Sequence, residues 1–415
     1  MKILFLTHNL AGVGGNYLRA FSLAREVARR DHAVTLLAGR AVPGLRVRET
    51  RLHDVRVVEM PDVLPRRIRH GGLSPVDIAA RAFWAPAGRF DVIHAFGHRP
   101  AVFLPAWLGH KSRGGLLVLD WADLWGREGI AAQPASLPRR VLGQLDHFFE
   151  RRVQRAVDGV TVISSDLDRR AAEIGIPRER RLLLPPGADV DSIRMADKAA
   201  ARHQLGLPLD AHIAAHSGYA PYDEVFLQQA ILELLRRDPM AWVVTCGLEL
   251  PDLKAAVTSQ GLGPRLVQYG ALPLPEVGTV LAAADLLVLP YLNSSVNRGR
   301  FPNKFGDYLA AGRPIITHRT GDLGEAVARE QVGVLASEDP SEFANEMLGL
   351  FQSPLVLDRL GLRAREFAEK EWNWQLRAGQ LLDFYQRLRG ALLLDGRHTP
   401  SVLVQSAIRR FRSTR

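Results

Sequence analysis

Short runs of apolar residues alternate with longer stretches in which apolar positions recur every three or four residues, and this alternation continues to about residue 390. Short apolar runs bounded by Gly, Pro and Asn read as buried strands, and the longer periodic stretches as helices that cover them. The first half offers strands near residues 2–7, 33–38, 55–59, 91–95, 115–119, 159–163 and 181–184. A second series lies near residues 212–217, 241–245, 265–268, 286–289, 314–317 and 332–335. Strands alternating with helices predict parallel sheets covered on both faces, so the expected fold is α/β with two doubly wound, Rossmann-like domains. The segment LLLPPGADVDSIR interrupts the alternation with a double proline and a glycine, and marks the domain boundary. The expected division is 1–190 for an N-terminal domain and 191–375 for a C-terminal domain. Residues 376–400 are expected as a helix returning to the first domain, and 401–415 as a basic tail, read as disordered.

The chain's 415 residues exceed what one hydrophobic core usually serves, which agrees with two domains. With 47% hydrophobic and 24% charged residues it reads as an ordinary globular protein. No run of about 18 uncharged apolar residues occurs. The opening MKILFLTHNL reads as a first strand rather than a leader. The single cysteine, Cys246, sits in the apolar run AWVVTCG and reads as a core thiol. The expected compartment is cytoplasmic, with peripheral attachment at the inner face of a membrane as the variant. The net charge of +10 belongs to the first half and the tail, where PRRIRH at 65–70 (Arg66, Arg67, Arg69), with Trp84 downstream, and IRRFR are the densest clusters. Such charge suits an anionic membrane surface or an acidic acceptor. No recognition motif or zinc spacing accompanies it, so nucleic acid is not expected as a partner.

The most specific chemistry lies in FPNKFGDYLAAGRPII, residues 301–316. Pro302 and Asn303 open a helix, Gly312 ends it, and Pro314 starts a strand. Lys304 and Asp307 are three apart and share a helix face, one suited to phosphate and the other to hydroxyls. The helix N-terminus adds unpaired N–H groups and positive potential. In THNLAGVGGN, Gly14, Gly15 and Asn16 follow the first strand, where a backbone turns tightly or meets a ligand. The three spaced glycines of a dinucleotide site are missing, and Ala38, Gly39 and Arg40 stand where an acidic residue would grip a ribose, which argues against NAD.

In order, KILFLTHNLAGVGGNYLRAFSLAREVARRDHAVTLL, DVIHAFGHRP, DGVTVISSDLDRRAAEIGIPRERRLLLPPGADVDSI, RLVQYGALPLPEVGTVLAAADLLVLPYLNSS, the 301–316 motif and EFAEKEWNWQLRAGQLLDFYQRL resemble the retaining GT-B glycosyltransferases of the family-4 type (glycosyl transferases group 1). The resemblance covers residues 1 to about 390. It implies two Rossmann-like domains facing across a cleft, a nucleotide-diphosphate sugar as donor, retention of anomeric configuration, no cofactor and no metal. It also implies donor-binding roles for Gly14, Gly15, Asn16, Gly218, Tyr219, Arg298, Arg300, Pro302, Asn303, Lys304 and Asp307.

Three departures accompany the resemblance. Relatives carry two glutamates where this chain has Gly299 and Asp307, so the ribose-gripping role keeps a carboxylate and the sugar-gripping role has none. Relatives also place an arginine and a lysine after the first strand of the second domain, whereas HSGYAPYDEVF holds no cation. Arg298, Arg300 and Lys304 are the expected replacements. Many relatives have a histidine before an aspartate in the loop that here reads LVLDWADLWG, with Ala122 before Asp123. Asp123 and then Asp120 are the candidates for orienting the acceptor, the other reading being that they cap a following helix. His98, at another strand end, completes the catalytic candidates. The strings Asp166–Asp168 and Asp189–Asp191 lack neighbouring ligands at metal spacing. The expected function is glycosyl transfer to an unknown glycan, lipid-linked or small-molecule acceptor. The alternatives are a catalytically decayed GT-B binding or partner subunit, or a sugar-nucleotide epimerase.

Overall fold

The computed structural model describes residues 1–126, 128–130, 137–218, 222–247 and 249–394. Met1–Pro185 together with the chain from Trp374 onward forms one compact unit, and Pro186–Asn373 forms the other. The sequence reading places these joins at 190/191 and 375/376; the 401–415 tail lies outside the described residues.

The first unit holds an eight-stranded sheet of β1 (Lys2–Leu10), β2 (Ala33–Gly39), β3 (Arg48–Leu52), β4 (Val55–Glu59), β5 (Val92–Phe96), β6 (Leu116–Trp121), β7 (Gly159–Val162) and β8 (Arg181–Leu183), in the order β3-β4-β2-β1-β5-β6-β7-β8. Every neighbouring pair is parallel except β3 with β4. β1 is buried from Ile3 to Leu10, as a central strand covered on both faces must be. β3 was not expected from the sequence. Its residues, RETRL, are half-buried or exposed and carry no apolar run, and it forms only because His53 and Asp54, both at positive φ, turn the chain back onto β4.

The second unit holds a six-stranded, all-parallel sheet of β9 (His212–Ser217), β10 (Ala241–Cys246), β11 (Leu266–Gln268), β12 (Leu286–Val288), β13 (Ile315–His318) and β14 (Gly333–Ala336), in the order β11-β10-β9-β12-β13-β14. In each sheet the strand order reverses once, beside β1 and β5 in the first and beside β9 and β12 in the second. Ligands of such sheets bind at the carboxyl ends of the strands at that reversal. The two units therefore each offer one crevice, and both fall on loops already singled out by sequence.

The helix Trp374–Leu394 packs against the helix Gly15–Ala28 and completes the first unit's core with Ala378, Leu381, Phe384, Tyr385 and Leu388. A buried polar chain runs beneath it. Arg19 donates two 2.9 Å bonds to Asp120 and a third, of 2.6 Å, to the Leu184 carbonyl. Thr161 donates to Asp120 at 2.6 Å. His94 is then left to donate from Nε2 to Thr161 at 3.2 Å and to accept the Tyr385 hydroxyl at Nδ1 at 2.6 Å. Burial holds His94 neutral, down to about 3. Among the described residues no helix is long and apolar enough to cross a membrane.

Candidate functional site

In the second unit the crevice is built on the helix Lys304–Ala311, which starts two residues later than the proline suggested. Phe305, Tyr308 and Leu309 are fully buried, so the apolar stripe fixes the helix and turns Lys304 and Asp307 toward the strand ends. Tyr308 locks it to β9 and β12 by accepting the Ser217 N–H at 2.8 Å and donating to the Val288 carbonyl at 3.3 Å. Gly306 is required by close approach, because a Cβ there would lie 2.4 Å from the Gly187 carbonyl oxygen.

Nζ of Lys304 lies 3.5 Å from Nε2 of His216. His216 donates from Nδ1 to the Val288 carbonyl at 2.9 Å, so its Nε2 presents a lone pair to the ammonium. Burial holds His216 neutral, down to about 3. Gly218, at positive φ, stands over the lysine; a Cβ there would sit 3.5 Å from Nζ. Burial, and next the Arg300 charge, bring Lys304 down to about 7. Burial, and next the charge of Asp189, bring Asp307 up to about 7. The cation and the carboxylate are thus both poised near neutrality in the absence of ligand.

Arg300 belongs to this cluster. It donates to Asn297 Oδ1 at 2.9 and 2.6 Å, lies 3.5 Å from Asp223, and stacks over Tyr222 at 4.7 Å. Asp223 is the buckle of the loop: Leu292 N–H and Asn297 Nδ2 both donate to it, at 3.1 Å to Oδ1. Arg298 does not turn the same way. It is exposed and bonds Asn293 on the outer side of the loop, so of the three expected replacement cations the structure gathers Arg300 and Lys304. Pro302 and Asn303 are half-buried in the turn that leads into the helix. Tyr219 lies outside the described residues. His216, Asp223, Asn297 and Tyr308 were not anticipated. The one signal for His216, Asp223 and Asn297 was position, at a strand end and in loop turns, and for Tyr308 its place in the helix's apolar stripe.

In the first unit the loop after β1 places Gly14, at positive φ, ahead of the helix Gly15–Ala28. Asn9 caps that helix, its Oδ1 accepting the Asn16 N–H at 3.0 Å and the Tyr17 N–H at 3.3 Å. Asp123 is half-buried in the bend after β6. Glu150 fixes that bend by accepting the N–H groups of Trp125 and Gly126 at 3.0 and 2.9 Å and the Trp121 indole at 2.8 Å. The stretch between Asp123 and Leu137, where a capped helix would start, includes residues 127 and 131–136, which lie outside the described residues. Asp120 requires correction. It is fully buried with its oxygens taken by Arg19 and Thr161, a core ion pair rather than a group facing an acceptor. His98 is buried, edge-on to Trp125 at 6.3 Å. Among the described residues no three His, Cys, Asp or Glu are grouped to hold a metal ion.

Two family descriptions match the chain. The glycosyl transferase 4-like domain covers residues 14–187, and the glycosyl transferases group 1 domain covers 217–353. The chain belongs to the group 1 glycosyltransferases of the family-4 type. It is 28% identical over 364 residues to a D-inositol 3-phosphate glycosyltransferase of Thermobispora bispora, covering 78% of this chain and 80% of the relative. It is 27% identical over 398 residues to D-inositol 3-phosphate glycosyltransferase 1 of Catenulispora acidiphila, with 90% of each covered. Its fold is GT-B. Sucrose-phosphate synthase from Thermosynechococcus elongatus superposes with a TM-score of 0.75 at 19% identity, over 94% of this chain and 99% of that one. Anabaena HepE in complex with UDP-glucose gives 0.70 at 18% identity, over 94% and 99%. Within this group 1 glycosyltransferase, Gly299 is buried at the end of the one-turn helix Ser295–Arg298 and supplies no side chain.

Proposed function

We propose that the chain transfers a sugar from a nucleotide-diphosphate sugar to an acceptor hydroxyl, with retention of configuration and without a metal ion. The observation that carries this reading is the Lys304 cluster: an ammonium seated against neutral His216, with Arg300 and a helix N-terminus beside it and Asp307 one turn on. Breaking the bond from sugar to diphosphate leaves negative charge on the departing phosphate, and preorganised donors can lower such a barrier by about 3 to 4 kcal/mol each. Lys304 and Arg300 supply charge where relatives use cations after β9, and Asp307 accepts from ribose hydroxyls. The departing phosphate takes the acceptor's proton on the face it leaves, so no histidine is needed beside Asp123, whose carboxylate orients the acceptor. The HepE complexes with UDP and UDP-glucose support uridine nucleotides as the first donors to try.

A membrane surface as the place of reaction draws support from the helices Pro75–Trp84 and Pro100–Arg113, which pack together and leave Val76, Phe83, Leu104 and Trp107 exposed. Calorimetric titration with UDP and a screen of nucleotide sugars test the donor reading. Binding in the wild type, weakened in Lys304→Ala, is expected. Absence of any nucleotide binding overturns it in favour of a decayed subunit, and isomerisation of the donor without an acceptor overturns transfer in favour of epimerisation.

A further inference from the structure

β3 is the outermost strand of the first unit's sheet, and among the described residues no strand pairs with its outer edge. The hairpin decides which of its backbone groups face outward. His53 and Asp54, both at positive φ, form the two-residue turn between Leu52 and Val55. Such a turn closes on a hydrogen-bonded pair. Bonded and non-bonded pairs then alternate along an antiparallel ladder. Leu52 with Val55, Thr50 with Val57 and Arg48 with Glu59 are therefore the bonded pairs. The N–H and C=O groups of Glu49 and Arg51 point away from β4, and an edge of that kind is a template for another strand.

The order of charges in RETRL decides which strand this edge suits. Laid antiparallel to itself about Thr50, it sets Glu49 opposite the partner's Arg51 and Arg51 opposite the partner's Glu49. The same register joins outward backbone groups to outward backbone groups on both copies. Slipping it by two residues sets Glu49 against the partner's Glu49, or Arg51 against the partner's Arg51, and like charges directly opposite are destabilising. Charges on an edge commonly keep copies apart, whereas these attract their own copy. Arg56 holds Glu49 in place with bonds of 3.0 and 2.7 Å. A carboxylate has about four acceptor positions, so a second arginine still fits. Arg51 bonds Asp54 at 3.2 Å, and Arg48, which would face the partner's Leu52, lies 3.6 Å from Glu59. Apolar surface lies in and just before the same strand, with Leu52 44%, Val47 45%, Val42 63% and Leu45 80% exposed.

We propose that β3 is a self-docking edge: two copies of this chain pair their β3 strands antiparallel about a twofold axis at Thr50, and their two eight-stranded sheets become one. The contact is isologous, so it closes at two copies instead of running on into a fibre. It stands apart from the transferase reading, because β1, where the first unit's crevice opens, is separated from this edge by β4 and β2.

The test is the solution mass of the full chain, by sedimentation or light scattering, with thermal melts to confirm that each variant is folded. The wild type is expected to be a dimer. Arg51→Pro removes an outward N–H, spares the ladder to β4 and should give a monomer. Arg51→Glu sets like charges opposite each other and should weaken dimerisation about tenfold or more, and combining it with Glu49→Arg should restore the dimer. Thr50→Cys reads the register directly. At a non-hydrogen-bonded antiparallel pair the two Cα atoms lie about 4.5 Å apart, within disulfide reach, so oxidised glutathione should link two copies covalently. The wild type, whose one cysteine, Cys246, is buried, should stay unlinked. Three results would overturn the proposal: a wild type that is monomeric at its highest soluble concentration, a dimer untouched by both Arg51 variants, or a dimer that Thr50→Cys does not cross-link. Should Arg51→Pro fail to fold, the charge exchange and the cross-link decide.

Discussion

The ammonium of Lys304 rests 3.5 Å from Nε2 of His216, whose other ring nitrogen is tied to the Val288 carbonyl. The lysine thereby meets a neutral acceptor on one side, within the fields of Arg300, Asp223 and Asp307. Lys304→Ala is expected to weaken UDP binding about tenfold or more, read by calorimetry. His216→Phe should weaken it less, since it removes the seat and leaves the charge.

The same lysine titrates near 7, held down by burial and then by Arg300. Its charge disappears as pH rises through that value, so UDP affinity should fall between pH 6 and pH 8.5 by about tenfold. A Lys304→Arg variant stays charged throughout and should flatten the profile. An unchanged slope in that variant would assign the titration elsewhere.

Asp307 is raised from its ordinary 3.8 to about 7, by burial and then by Asp189. The folded protein therefore holds a proton that the unfolded chain has lost, and stability contributed by this group falls as pH climbs from about 4 to about 7. Asp307→Asn removes that loss. The unliganded variant should melt higher than wild type at pH 7.5 and bind UDP more weakly, a split between stability and function visible in paired melts with and without nucleotide.

Gly306 packs on the backbone at Gly187, where a Cβ would meet the carbonyl oxygen at 2.4 Å. Gly306→Ala should cost about 1–3 kcal/mol in denaturant unfolding and push the helix Lys304–Ala311 away from β9, with UDP affinity falling alongside.

Asp120→Ala leaves Arg19 buried without its partner and should cost about 3–5 kcal/mol. UDP affinity per folded molecule should be unchanged. A stable Asp120→Ala protein with normal nucleotide binding and lost transfer would return Asp120 to the acceptor side.

Fold and site differ in how much the sequence disclosed. Parallel strands announced themselves because two-sided burial writes continuous apolar runs such as ILFL and LLVL. β3 stayed hidden because an exposed edge strand needs no apolar pattern, only a turn that aims it. Lys304 and Asp307 were legible because a capped helix fixes the spacing of its own side chains. Asp120 was misread because a strand-end aspartate looks the same in sequence whether it faces a crevice or an arginine 101 residues away. Arg298 and Arg300 were inseparable by sequence, and what separates them is Asn297, which holds one toward Asp223 while Asn293 takes the other.

Tyr385 closes on His94 across 291 residues of chain. On a chain made from its N-terminus, the first unit cannot finish its core until the helix Trp374–Leu394 leaves the ribosome, by which time every residue of Pro186–Asn373 is out. The second unit can thus complete its core first, while the first unit still has one face uncovered. A nascent chain stopped before Trp374 would hold a complete second unit and an unfinished first one, and a deletion that removed Trp374–Leu394 would strike the N-terminal half of the protein.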